Sequence, residues 1–120
     1  MNIGLFVYFC TQSKNMEIIF DKDYLFELYY KGKCSDKKYR YQPQIIKRYI
    51  KVIDLLRASD VVEDLFCFNS LNYEMLKGDK KGIESVRVND QYRLEFISKR
   101  VVNETIVTIC NVIDLSNHYK

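Results

Sequence analysis

Glu74, Lys77, Arg87, Arg93, His118 and Tyr119 are the side chains whose types and order suit acid–base chemistry on a phosphate. A carboxylate takes a proton, and a histidine returns one near neutral pH. Fixed cations hold the negative charge that develops on the phosphoryl group. Cleaving a phosphodiester needs such a set. The stretch LKGDKKGIESVRVNDQYRLEF, residues 76–96, carries Lys77, Arg87 and Arg93 between glycine and asparagine turn signals.

Strands must position these groups. Apolar alternation predicts strands over about Ile83–Val88, Tyr92–Lys99 and Thr105–Leu115, joined by the turn-like NDQ and RVVNE. Successive strand residues face opposite sides of a sheet. Val86, Val88, Leu94 and Phe96 form the natural core face, so Arg87, Arg93 and Glu95 are expected on an open face. In the last strand Ile106, Thr108 and Cys110 alternate with Val107, Ile109 and Asn111, and no register is fixed. That strand leads to the terminal LSNHYK, which brings His118 (the only histidine) and Tyr119 to the edge of the same sheet.

Ahead of the hairpin, MEIIF at Met16–Phe20 reads as a short strand. Asp21 is the expected N-cap of a helix over KDYLFELYYKG, with Leu25, Leu28 and Tyr29 as its apolar stripe and Gly32 as its stop. A longer helix is predicted from about Gln42 to Ala58, with Pro43 in its first turn. Ile45, Ile46, Tyr49, Val52, Ile53 and Leu56 follow helical spacing there. Ser59 is expected to cap a short helix or turn at DVVEDLFCF, and NSLNYEMLKGDKKG reads as loop. The order β-α-α-β-β-β predicts an α+β domain, with two helices packed on one face of an antiparallel sheet.

At 120 residues, 29% charged and 48% hydrophobic, the chain is one ordinary globular domain. Net charge is only +3, but residues 31–51 hold eight Lys/Arg (31, 33, 37, 38, 40, 47, 48, 51) against the single acid Asp36. With Tyr39, Tyr41 and Tyr49 interleaved, that block suits a polyanion as well as it suits a solvated helix face. Lys37, Lys38, Arg40, Lys47, Arg48, Lys51, Lys80 and Lys81 are the candidate residues for holding such a polyanion. Cysteines at 10, 34, 67 and 110 show no CxxC spacing, which with one histidine argues against zinc or any other metal site. The opening MNIGLFVYFCTQSKN has no basic leader region and is too short to span a bilayer. These features predict a cytoplasmic protein with reduced thiols and no membrane partner. Residues 1–15 read as an N-terminal extension before a domain at 16–120. The competing reading makes them an added edge strand through Leu5, Val7 and Phe9.

By composition alone the charged face is a sheet surface laced with salt bridges. A resemblance changes that weighing. LNYEMLKGDKKGIESVRVNDQYRLEF, followed by a strand and a terminal NHYK, resembles the RelE/ParE superfamily of bacterial type II toxins, and within it the HigB-like, or plasmid-maintenance killer, branch. That branch carries Leu-Lys-Gly-Asp-(Lys/Arg)-x-Gly, then Ser-hydrophobic-Arg-hydrophobic-Asn-Asp-Gln-aromatic-Arg, then a tail ending in Asp-Tyr-His or a variant. The match is dense over Leu71–Phe96, looser from Met16 to Lys120, and absent from residues 1–15.

The resemblance implies a RelE-like fold. It also implies a toxin that cuts mRNA in the A site of the ribosomal 30S subunit and so stops translation, with no cofactor. The implied partner is a helix-turn-helix, HigA-like antitoxin. Lys77, Arg87 and Arg93 fall on the family's loop lysine and hairpin arginines. Glu74 falls where some relatives have a catalytic glutamate and HigB proteins often have histidine. His118 and Tyr119 match the terminal pair, in the order His-Tyr rather than Tyr-His, so either can be the general acid. The implied mechanism has Glu74 or a terminal residue deprotonate an RNA 2′-hydroxyl, which attacks the adjacent phosphorus. His118 protonates the leaving 5′-oxygen and a 2′,3′-cyclic phosphate remains. ParE-like relatives poison DNA gyrase without being enzymes, and an inert relative kept for antitoxin binding is the third possibility. The joint presence of Glu74, Lys77 and His118 favours the nuclease.

Overall fold

The computed structural model describes residues 16–102 and 106–117. The first strand, β1 (Met16–Phe20), alternates as its sequence requires, with Met16 buried, Ile18 and Phe20 half-buried, and Glu17 and Ile19 exposed. Helix α1 covers Asp23–Lys31 and buries Tyr24, Leu25 and Leu28. Asp21 does not cap it. The residue before the helix is Lys22, and the Asp21 N–H instead donates to the Val112 carbonyl at 2.9 Å, tying the chain to the sheet. Gly32 stops α1 as expected, at φ 73°, a left-handed conformation that a side chain would strain.

Helix α2 (Pro43–Ala58) starts on its proline and buries Ile45, Tyr49, Val52, Ile53 and Leu56. Tyr49 crosses to α1 and donates to the Leu25 carbonyl at 2.7 Å. Ser59 closes α2 rather than opening the next element: its Oγ donates to the Leu55 carbonyl at 2.9 Å. The following 3₁₀ turn, Val62–Cys67, is started by Asp64, whose carboxylate accepts from the Asp60 and Val61 amides at 2.9 and 3.3 Å.

The segment expected to be loop contributes a strand, β2 (Glu74–Met75), too short to show a period. Strands β3 (Glu84–Arg87), β4 (Arg93–Val102) and β5 (Ile106–Ser116) follow. Together they form one sheet in the order β1-β5-β4-β3-β2. The last strands are antiparallel as predicted, but β1 joins β5 in parallel. The two helices carry the chain across to the opposite edge of the sheet, so β1 and β2 form its two edges, which the linear order alone does not reveal. A register shift after Glu95 leaves Ile113 between the pairs Glu95–Asp114 and Phe96–Val112. There Tyr24 pins the sheet to α1: its hydroxyl donates to Asp114 Oδ1 at 2.6 Å and accepts from the Leu115 N–H at 3.1 Å.

Val86, Val88, Leu94 and Phe96 are buried with Leu25, Leu28, Tyr49, Ile53 and Leu56, as the alternation predicts. Phenols in this core raise a pH expectation. Burial pushes Tyr24, Tyr49 and Tyr73 well above the ordinary value of 10.0, and pushes Tyr41 to about 12. Each phenol therefore holds its proton more tightly folded than unfolded. The linked stability is complete below pH 10 and is lost as pH climbs through the folded values. Urea midpoints followed by circular dichroism should be flat to about pH 9 and fall steeply above pH 10. Tyr24→Phe should make that fall shallower, and an unchanged slope in that variant contradicts the assignment.

Candidate active site

The face of the sheet turned away from the helices gathers the charged residues. Register puts Glu74 opposite Ser85 and Ser85 opposite Glu95, in one row across β2, β3 and β4. The neighbouring row is Arg87, Arg93 and Ser116. Strands lie about 5 Å apart, so the two rows make one continuous polar patch.

This face is not open throughout, which corrects the sequence expectation. The side chain of Arg93 is 8% exposed and that of Glu95 is 3% exposed. Arg93 lies along the sheet: its Nε donates to Ser85 Oγ at 2.8 Å, and its Nη2 donates to the Ser85 and Asn72 carbonyls at 3.2 and 2.5 Å. Nη2 also stands 4.0 Å from Glu74 Oε1. Glu95 is paired with Lys80 Nζ at 2.8 Å. A buried charge needs such partners, and both have them. The chain segments before β2 and β3 supply the cover, and strand alternation could not foretell that.

The glycines of the loop make the Lys80 contact possible. Gly78 sits at φ 69° and starts the 3₁₀ turn Gly78–Lys80, which turns the Lys80 ammonium toward Glu95. Lys80 thus belongs to this cluster more than to an outer RNA-binding surface. Lys77, one residue before the turn, is exposed, as is Lys81. Glu74 is half exposed at its side chain. Arg87 reaches Asp90 across the hairpin turn and is about one-third exposed. Glu74, Lys77 and Arg87 are therefore accessible from solvent, while Arg93 is buried. His118 and Tyr119 lie outside the described residues. Ser116, at the end of β5, is buried beside Arg93 and two positions before His118 in the sequence.

Sequence reasoning missed Ser85 and Asn72 as partners of Arg93, and read Glu95 as a surface residue. Ser85 carried a usable signal, being a small polar residue on the face of two arginines. The Asn72 contact, through a backbone carbonyl, carried none.

The basic block divides. Lys47, Arg48 and Lys51 are exposed on α2, whose buried side packs on the sheet, so they face away from the Glu74–Arg93 patch. Lys37, Lys38 and Arg40 are exposed in and after a 3₁₀ turn. The tyrosines among them point inward. Tyr39 stacks on Tyr24 at 3.7 Å, and Tyr41 donates to the Leu115 carbonyl at 3.2 Å and meets the Tyr92 ring at 5.3 Å. Tyr39 and Tyr41 are structural pins, and Tyr41 holds this basic turn beside the strand ends that carry Arg93.

Among the described residues, no three His, Cys, Asp or Glu side chains are grouped to hold a metal ion, and no helix is long and apolar enough to cross a membrane. Cys34, Cys67 and Cys110 are free thiols, and burial pushes the Cys110 thiol up, away from reactivity.

Comparison with known proteins finds a matching family and several similar proteins. The family described as the RelE-like toxin of type II toxin-antitoxin system HigB matches residues 18–110. Toxin HigB-1 of Vibrio cholerae serotype O1 is 36% identical over 76 residues, covering 62% of this chain and 77% of that protein. Among solved structures, a YoeB/ParE toxin from Agrobacterium tumefaciens superposes with a TM-score of 0.47 at 17% identity, covering 87% of this chain and 100% of its own. A YoeB dimer from Staphylococcus aureus gives 0.46 at 18% identity, covering 88% of this chain and 99% of its own.

Proposed function

The chain belongs to the HigB-like family of RelE-like toxins of type II toxin-antitoxin systems, and on that premise we propose that it is a metal-independent endoribonuclease that cuts mRNA on the ribosome in the cytoplasm. What carries the reading is one face of the sheet on which the part-exposed Arg87 and the half-exposed carboxylate of Glu74 stand over the buried Arg93, with Lys77 exposed two residues after β2. Cations in that arrangement suit a pentacoordinate phosphorane, whose charge exceeds that of the substrate.

In this mechanism Glu74 takes the proton of the 2′-hydroxyl, and the 2′-oxygen attacks the neighbouring phosphorus. Arg87 exchanges Asp90 for a phosphate oxygen, and Lys77 meets a second. Arg93 holds Glu74 and the Asn72 backbone from behind. His118 or Tyr119 protonates the departing 5′-oxygen. Without a 2′-hydroxyl there is no nucleophile, so DNA is not cut. Lys37, Lys38 and Arg40, with Lys81, are offered for phosphate contacts along the RNA, and Lys47, Arg48 and Lys51 for a separate ribosomal surface. The partner in the resting cell is a cognate antitoxin, as the family description implies, and we propose the HigA-like, helix-turn-helix type.

The test is expression of the wild type in growing cells, with primer extension on translated mRNA. Discrete cuts should appear. Growth arrest without cuts but with DNA damage contradicts the proposal and favours a gyrase poison. Arg87→Ala should lower cleavage about 100-fold and stability by less than about 1 kcal/mol, because its pair with Asp90 is at the surface. A variant that loses stability but keeps activity per folded molecule means that Arg87 only makes a salt bridge. We also propose that the domain starts near Met16. Deleting residues 1–15 should leave the thermal midpoint within about 2 °C, and failure of that variant to fold is evidence for the edge-strand reading.

A further inference from the structure

A cavity of about 380 Å³ opens beside β2, lined by Phe66, Phe68, Asn69, Asn72 and Tyr73. None of these residues takes part in the proposed proton transfers. Phe66 is 55% exposed and Phe68 39%, an unusual investment of aromatic surface in water. The Tyr73 ring stands 4.9 Å from Phe66, and its hydroxyl is committed to Glu84 Oε1 at 2.6 Å, which fixes the ring. Asn69 and Asn72 are exposed and add amide donors and acceptors to the rim.

The cavity is joined to the active face through one residue. Asn72 adopts a left-handed conformation at φ 45°, and its carbonyl oxygen accepts from Arg93 Nη2 at 2.5 Å. The cavity wall and the cation cluster therefore keep a fixed spacing. Exposed aromatic faces bind nucleobases by stacking, and amides read base edges by hydrogen bonding. An uncharged, flat, hydrogen-bonding group fits this lining, and the volume accommodates one base.

We infer that this cavity is a nucleobase subsite: the base next to the scissile phosphate stacks on Phe66 and Phe68 and is read along its edge by Asn69 and Asn72. This rests on the RNA-cleaving reading of the adjacent face, and it adds a place where sequence preference is set. The phosphate holds the strand at Arg87 and Lys77, while the neighbouring base turns out beside β2.

The test is an NMR titration of the full chain with a trinucleotide carrying 2′-deoxyribose at the cleavage position, which cannot be cut, and with the same trinucleotide made abasic at the neighbouring position. The Phe66 and Phe68 ring signals should shift with the intact probe, and it should bind about tenfold tighter than the abasic one. A Phe66→Leu/Phe68→Leu variant should bind both probes alike, with an unchanged thermal midpoint. Ring signals that stay still, or a variant that keeps the tenfold ratio, overturn the inference. Ring signals that move with the antitoxin and not with the trinucleotide also overturn it, giving the cavity to a protein partner. Mapping mRNA cuts by the wild type separates the two readings. Cuts without the tenfold ratio leave the nuclease and remove the subsite. The ratio without cuts leaves the subsite and removes the nuclease.

Discussion

Replacing Arg93 by alanine should destabilise the protein by about 2–4 kcal/mol, the largest stability loss expected of any residue on the charged face. The guanidinium is buried and makes three hydrogen bonds, to Ser85 Oγ and to the Ser85 and Asn72 carbonyls. Removing it leaves two carbonyls and a hydroxyl without that donor, and Glu74 without a cation at 4.0 Å. Arg93→Lys keeps the charge but not the fork, so it should recover less than half of the loss. Denaturant unfolding of the three proteins measures this. Cleavage per folded molecule should also fall about 100-fold in Arg93→Ala, through misplacement of Glu74 and of the Asn72 backbone. An alanine variant as stable as the wild type means that the buried network contributes nothing net, as some buried ion pairs do.

Glu74→Gln should reduce cleavage by 10²–10⁴-fold, roughly the usual contribution of a general base, and leave stability nearly unchanged. Glu74 and Glu95 lie in the same cross-strand row, so both are formally candidates. Their surroundings separate them. Glu95 is buried and bonded to Lys80 at 2.8 Å, while Glu74 is half exposed and has its nearest cation at 4.0 Å. A base must reach its proton, and Glu74 is the one that can. Glu95→Gln should therefore act mainly on stability, by removing the carboxylate charge that Lys80 meets at 2.8 Å. Single-turnover cleavage on programmed ribosomes separates them, and full activity in Glu74→Gln would falsify its assignment as the base and pass that role to the chain terminus.

Much of this molecule was legible in its residues. Helix boundaries followed from Pro43 and Gly32, because a fixed φ and a missing Cβ act locally. The core face of the hairpin followed from Val86, Val88, Leu94 and Phe96, because a pleated strand has a period of two. The terminal strands pair antiparallel because their turns are too short for anything else. Legibility failed where one contact joins distant segments. Asp21 looked like a cap, but its amide was drawn to Val112. Tyr39 and Tyr41, interleaved with lysines, looked like part of a polyanion-binding block, but Tyr24, Tyr92 and Leu115 drew them inward.

By itself the sequence determined which side of the hairpin strands a residue takes, where α1 ends and α2 begins, and the family motif over Leu71–Phe96. These depend on neighbours a few positions away. Only the tertiary structure decided that the expected open face is half closed. Arg93 is covered through Asn72, 21 positions earlier, and Glu95 through Lys80, 15 positions earlier. Alternation assigns a side chain to a face, but what lies over that face depends on how the rest of the chain packs. For this reason Arg87 and Glu74 remain within reach of a substrate while Arg93, on the same face, became their support.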